Sequence, residues 1–141
     1  FIANIRIMNS RQTNQLILLK DDYDVLMNYL KTGEMELKYD RARANMLIAE
    51  IEKAELLSRA AFPKDVVRLH SRIVVRDKIA RRNLAYTLVL PEDASHREDK
   101  ISILAPLGTM LLGARKGADL VRETAGRKNY FTIMEIIHPI D

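Results

Sequence analysis

The chain of 141 residues has no cysteine. Disulfides, thiolate metal centres and a cysteine nucleophile are therefore excluded, which suits a cytosolic protein. Long apolar runs are scarce as well. The longest, Ile101 to Ala114, is too short to span a bilayer and is broken by Pro106, Gly108 and Gly113. The start, Phe1 to Arg11, carries no signal-peptide pattern. His70, His96 and His138 lie far apart with no metal-ligand spacing, so we read them as surface residues. There is no Gly-rich phosphate loop and no G-x-S-x-G elbow, and the serines have no local base pattern. These absences name no cofactor, no metal, no catalytic residue and no small-molecule substrate. The expected class is a binding protein rather than an enzyme.

What is present is an apolar fraction of 48%, enough to bury a core. The net charge of +4 is unevenly spread. Residues 1–62 hold nine Lys/Arg and nine Asp/Glu; residues 63–141 hold fourteen and ten. A basic second half suits nucleic acid or an acidic protein surface, and it also suits plain solubility.

Three zones follow one another. Residues 1–20 form a leader with an apolar stretch, Leu16 to Leu19, read as a strand or extended arm; the polar run Asn9 to Asn14 is read as mobile. The second zone is helical. Asp21 is placed as the cap of a first helix, with Asp24 close to the positive end of its dipole. Tyr23, Leu26, Met27 and Leu30 make one apolar face, and Gly33 ends the helix. A second helix is expected from about Met35 to Ala60, with Leu37, Ala44, Leu47, Ile48, Ile51, Ala54, Leu57 and Ala61 along a near-heptad seam. The short connection predicts an antiparallel hairpin, closed by Pro63.

The third zone is β-rich. Val67, Leu69, Ser71, Ile73 and Val75 alternate with Arg68, His70, Arg72, Val74 and Arg76, a half-buried strand with a basic outer face. Strands are also expected at Leu84–Leu90, Lys100–Leu104, Ala118–Glu123 and Tyr130–Ile137. Pro106 to Leu112 predicts one short helix, with proline near its start and Gly113 after its end.

Several segments carry a family resemblance. The run from Val66 to Asp77 resembles the opening strand of the C-terminal domain of Gre factors. Ile101-Ser102-Ile103-Leu104-Ala105-Pro106-Leu107-Gly108-Thr109-Met110-Leu111-Leu112-Gly113 is similar to the family pattern I-S-x-x-[SA]-P-[IVL]-G-x-x-L-[LI]-G. Ala114-Arg115-Lys116-Gly117-Ala118-Asp119 is similar to the K-x-x-G-D turn, with Ala118 inserted before the acid. Phe131 to Ile136 resembles the closing strand, and Leu16 to Tyr23 the lead into the hairpin.

This resemblance to the Gre-factor (GreA/GreB) superfamily of transcription elongation factors, in a short-hairpin subtype like the regulator of nucleoside diphosphate kinase (Rnk), implies an α+β fold. A short antiparallel helical hairpin in residues 1–62 would precede an FKBP-like antiparallel β-domain with one short helix in residues 63–141. It implies a bacterial, cytoplasmic regulator that docks on RNA polymerase at the β′ rim of the secondary channel, with at most indirect contact to nucleic acid and none to membrane. The docking loop maps onto Ala105, Pro106, Leu107 and Gly108. Leu104 stands where the family carries an acidic or amide residue.

Full Gre factors carry acidic residues at the tip of a long coiled coil that help hold a metal for RNA cleavage. Here the tip reads Gly33-Glu34-Met35-Glu36-Leu37-Lys38-Tyr39-Asp40. Glu34, Glu36 and Asp40 are read as solvated tip charges on a hairpin too short to reach the active site. Two alternatives stand beside that reading. One is a cleavage factor that uses those acids. The other is a nucleic-acid or protein-binding module that uses the basic face of Arg68, Arg72 and Arg76.

Overall fold

The computed structural model describes residues 4–7, 15–33 and 38–140. The run Asn9 to Asn14 and the tip acids Glu34 and Glu36 lie outside the described residues.

Strand β1 (Asn4–Ile7) comes first. Strand β2 (Ile17–Leu19) then leads directly into helix α1 (Lys20–Thr32). Leu26, Met27 and Leu30 bury the expected apolar face, and Tyr23 packs partly buried beside them. Full burial of one such leucine contributes about 1.5–3 kcal/mol. The start of α1 differs from expectation. Leu19 is the cap residue and no side chain bonds the free amides. Asp21 instead lies in the first turn and pairs with Arg59 at 2.8 Å. A carboxylate there is still favoured by the helix dipole.

Gly33 ends α1 in an extended conformation, with φ −65°, rather than in the left-handed one. It is needed for space, because a Cβ there would lie 2.6 Å from the Tyr29 carbonyl oxygen. The last carbonyls are capped from helix α2 (Lys38–Glu52): Arg41 donates to Leu30 O at 2.6 Å and to Gly33 O at 3.0 Å. A cation at this end also suits the dipole. Arg41→Ala is expected to lower stability by about 1–2 kcal/mol and to speed amide exchange in the last turn of α1. Unchanged exchange there would refute the capping role.

Helix α2 stops at Glu52, eight residues before the expected end at Ala60. Ala44, Leu47 and Ile51 do line its buried face. After them, backbone bonding to the leader wins over helix continuation. Glu55 donates to Leu16 O at 2.8 Å, and the Gln15 amide donates to Lys53 O at 2.8 Å. Strand β3 (Glu55–Leu57) then pairs in parallel with β2. Leu57, expected on the helical seam, packs instead beside a small cluster of Leu19, Phe62 and Val66.

The main sheet has the order β1-β7-β8-β4-β5-β6. It contains β4 (Arg72–Asp77), β5 (Arg82–Val89), β6 (Lys100–Ser102), β7 (Asp119–Thr124) and β8 (Arg127–Ile137). It is not wholly antiparallel, because β6 runs parallel to β5. The connection 90–99, with a 3-10 turn at Pro91–Asp93, carries the chain back to make that pairing. Helix α3 (Pro106–Leu111) follows β6. Leu107, Met110 and Leu111 from α3 join Ile73, Val75, Leu88, Leu120, Phe131 and Ile133 from the sheet. Leu18, Leu26, Leu30, Leu47 and Ile51 belong to the same apolar cluster, so helices and sheet share one core.

Residues 66–71 also depart from expectation. Strand β4 begins at Arg72, not at Val67. The preceding amides bond elsewhere: Val67 to Ala114 O at 2.8 Å, His70 to Leu88 O at 2.7 Å and Leu69 to the Asp22 carboxylate at 3.0 Å. His70 adopts φ +70°, which breaks the strand alternation. Arg68 is consequently buried rather than outward-facing.

Candidate functional site

Loop and helix around residues 102–113 are built by β6 and closed by close backbone bonding. Ser102 Oγ accepts from Leu104 N at 2.9 Å, and Ser102 O accepts from Ala105 N at 3.0 Å. The Thr109 hydroxyl donates to Ile103 O at 2.7 Å, and Gly113 N donates to Val67 O at 3.2 Å. Ala105 is extended, as the residue before a proline prefers. Pro106 opens α3, where its missing N–H costs nothing. From α2, Arg43 reaches across to donate to Leu104 O at 3.2 Å. One end of this loop is therefore tied to the helical zone.

The four expected docking residues divide into two pairs. Ala105 and Pro106 are half-buried, with part of each reaching the surface. Leu107 and Gly108 are buried. Gly108 presses its backbone on the molecule itself, since a Cβ there would overlap the Ser102 carbonyl oxygen and lie 2.8 Å from its carbon. The close approach that this glycine allows is to its own chain.

Beside Ala105 and Pro106 opens a groove of about 410 Å³, walled by Tyr86, Ile101 and Leu107. The Arg122 guanidinium lines it and lies 5.6 Å from the centroid of the Phe131 ring. Sequence reading did not find this groove. It is assembled from β5, the 94–99 segment, β6, α3 and β7, and no local pattern marks it.

Of the expected tip acids only Asp40 is described. It lies in the first turn of α2 and is half-buried. The Tyr29 phenol has its pKa raised, first by burial and then by the negative field of Glu92, Asp93 and Asp40. Asp40 thus shares its surroundings with the 91–93 turn of the β-zone. Among the described residues, no three His, Asp or Glu side chains converge to hold a metal. No helix among them is long and apolar enough to cross a membrane.

The histidines are not all surface residues. His70 and His96 are exposed, but His138 is partly buried, with Nε2 2.7 Å from Val66 O and its ring against Phe62. The expected basic strand face is also reduced. Arg72 is exposed and Arg76 bonds Asn83, but Arg68 turns inward toward Asp22 at 3.8 Å. Asp22 itself carried no signal in the sequence beyond its place in a first turn.

Residues 62–138 match the family model described as transcription elongation factor, GreA/GreB, C-terminal. The chain belongs to the GreA/GreB family. Its relatives include the regulator of nucleoside diphosphate kinase of Escherichia coli (strain K12), 34% identical over 83 residues, which cover 59% of this chain and 61% of that protein. Transcription elongation factor GreA of Amoebophilus asiaticus (strain 5a2) is 30% identical over 93 residues, covering 63% of this chain and 59% of that one. The solved GreA/GreB elongation factor of Nitrosomonas europaea superposes with a TM-score of 0.73 at 27% identity, over 89% of this chain and all of that one. The match spans about three-fifths of the curated relatives' length. The GreA/GreB C-terminal region accordingly contains the 102–113 loop, the groove and Arg122.

Proposed function

We propose that this GreA/GreB-family chain is a cytoplasmic regulator that docks on bacterial RNA polymerase at the β′ rim of the secondary channel and does not stimulate transcript cleavage. The observation that carries the docking is the Ala105–Pro106 step, which keeps some surface while Leu107 and Gly108 behind it are buried. A rigid apolar step of this kind binds with little loss of conformational entropy. Residues 63–141 would form most of an FKBP-like docking unit, with β1 added at the edge of its sheet, and α1 with α2 the short hairpin packed on the same core.

Helix length supports the second half of the proposal. The 13 residues of α1 rise only about 20 Å, which limits the reach of any hairpin it forms. The reading as a basic nucleic-acid module loses one of its three arginines, because Arg68 is buried.

The test is binding of the labelled chain to core RNA polymerase, with a full-length Gre factor as competitor. Displaceable binding is expected, and Pro106→Arg should weaken it by about tenfold or more, a loss of roughly 1.4 kcal/mol, with an unchanged melting temperature. Binding that ignores Pro106→Arg would remove the docking loop from the proposal. Cleavage stimulated in a backtracked complex, and abolished by Glu34→Ala with Glu36→Ala, would overturn the non-cleaving half.

A further inference from the structure

The groove beside Pro106 has an apolar side and a polar side, with Arg122 in its lining. Tyr86, Ile101 and Leu107 supply apolar wall, Ser95, His96 and Ser102 a polar one, and Arg122 lines the same space. Among the described residues no carboxylate pairs with Arg122. Its one hydrogen bond among the described residues is a long one, 3.4 Å to the Asn129 side-chain oxygen; its Nε is buried without an acceptor, so a ligand from outside would meet the terminal nitrogens alone. A half-buried guanidinium so poorly satisfied is unusual, since arginine in a folded protein normally has acceptors for its donors. The Phe131 ring, 5.6 Å from the guanidinium carbon, steadies the cation. Lys100, also on the groove, is engaged by Glu98 at 2.9 Å, and Asp99 is the one acid in the lining.

We propose that the groove receives an acidic side chain, an aspartate or glutamate projecting from the docking partner, with Arg122 as its receptor. This rests on the docking reading above and deepens it. The partner surface that covers Ala105 and Pro106 would seal the groove mouth, and a carboxylate on that surface would find Arg122 in a partly water-excluded site. Charge-assisted bonds to arginine are strong there and geometrically selective. The apolar side suits the methylene stem of such a side chain. Arg122 would then set specificity: a partner with a neutral or basic residue at this point leaves a cation buried against it.

The experiment compares wild type, Arg122→Met and Arg122→Lys for binding to core RNA polymerase across a salt series. Methionine keeps an apolar cover on Phe131 and removes the charge. Expected is a loss of about tenfold or more for Arg122→Met, with a shallower salt dependence, and a smaller loss for Arg122→Lys. Melting curves check folding. Should the methionine variant melt early, the lysine variant, which keeps the cation but not the planar fork, carries the test. Wild type that binds while both variants bind within twofold of it, with the same salt slope, overturns the groove assignment and leaves the docking loop standing. Wild type that does not bind at all overturns the docking reading and this inference with it.

Discussion

Gly108→Ala is expected to destabilise the protein by about 3 kcal/mol, the upper end of the usual cost of overpacking a core. The sign is the informative part. In a helix, alanine normally improves on glycine by about 1 kcal/mol, because it restricts the unfolded chain. Here Gly108 lies inside α3, so propensity alone predicts a gain. Packing predicts the reverse, because the new Cβ would overlap the Ser102 carbonyl oxygen and sit 3.4 Å from the Ile103 Cα. These are backbone atoms, fixed by the Ile103 bond to Val89 O at 3.0 Å and by the Thr109 bond to Ile103 O, and they cannot rotate away. Gly117→Ala is the control. Gly117 has φ +86° and nothing within 4 Å of a Cβ, so only backbone strain acts, costing about 1–2 kcal/mol. Urea midpoints for the two variants should differ clearly. If Gly108→Ala were as stable as wild type, the close seating of α3 on β6 would be wrong. The same geometry makes a bulky substitution at Gly108 a test of folding rather than of docking, so Pro106 is the position to vary.

The elements legible in the sequence are those whose apolar pattern is local. The face of α1, the short helix opened by Pro106 and its stop before Gly113 all follow from spacing within a few residues, and each lies where spacing puts it. What failed did so where a distant partner decided the outcome. The seam through Leu57 is a good helical pattern, but Leu16 and Gln15 supply hydrogen bonds that make residues 55–57 a strand. Val67 to Val75 alternates as a strand should, yet Asp22, Leu88 and Ala114 claim the backbone of its first half. The site divides in the same way. The loop motif was readable as a run of residues, whereas the roles of its members were not. Burial of Gly108 depends on β6, and the place of Arg122 depends on β7 lying across from α3.

Asp22→Ala should lower stability by about 2–4 kcal/mol, while Asp22→Asn should stay within about 1 kcal/mol of wild type at neutral pH. Asp22 is 7% exposed, and its carboxylate accepts the Leu69 amide at 3.0 Å. It also lies 3.8 Å from Nε of Arg68, itself 7% exposed. Alanine leaves the Leu69 amide buried without an acceptor and takes an anion from beside a buried cation. It also cuts a link between α1 and the segment that leads into β4. Asparagine keeps the acceptor and loses only the charge. Whether that charge helps is decided by the shift in the carboxyl pKa, which is raised above 3.8. Burial drives it up, and the Leu69 amide, Arg68, His70 and Arg59 together only partly offset the rise. A raised pKa means that the folded chain holds the proton more tightly than the unfolded one. Between 3.8 and the folded value the native state therefore binds more protons, so the Asp22 contribution to stability falls as pH rises through that window. Asp22→Asn cannot titrate, and its stability relative to wild type should improve from acid to neutral pH. Urea unfolding of the two proteins on either side of the window measures this difference directly. A relative loss for Asp22→Asn with rising pH would mean that the ionised carboxylate is a net stabiliser and that Arg68 outweighs burial.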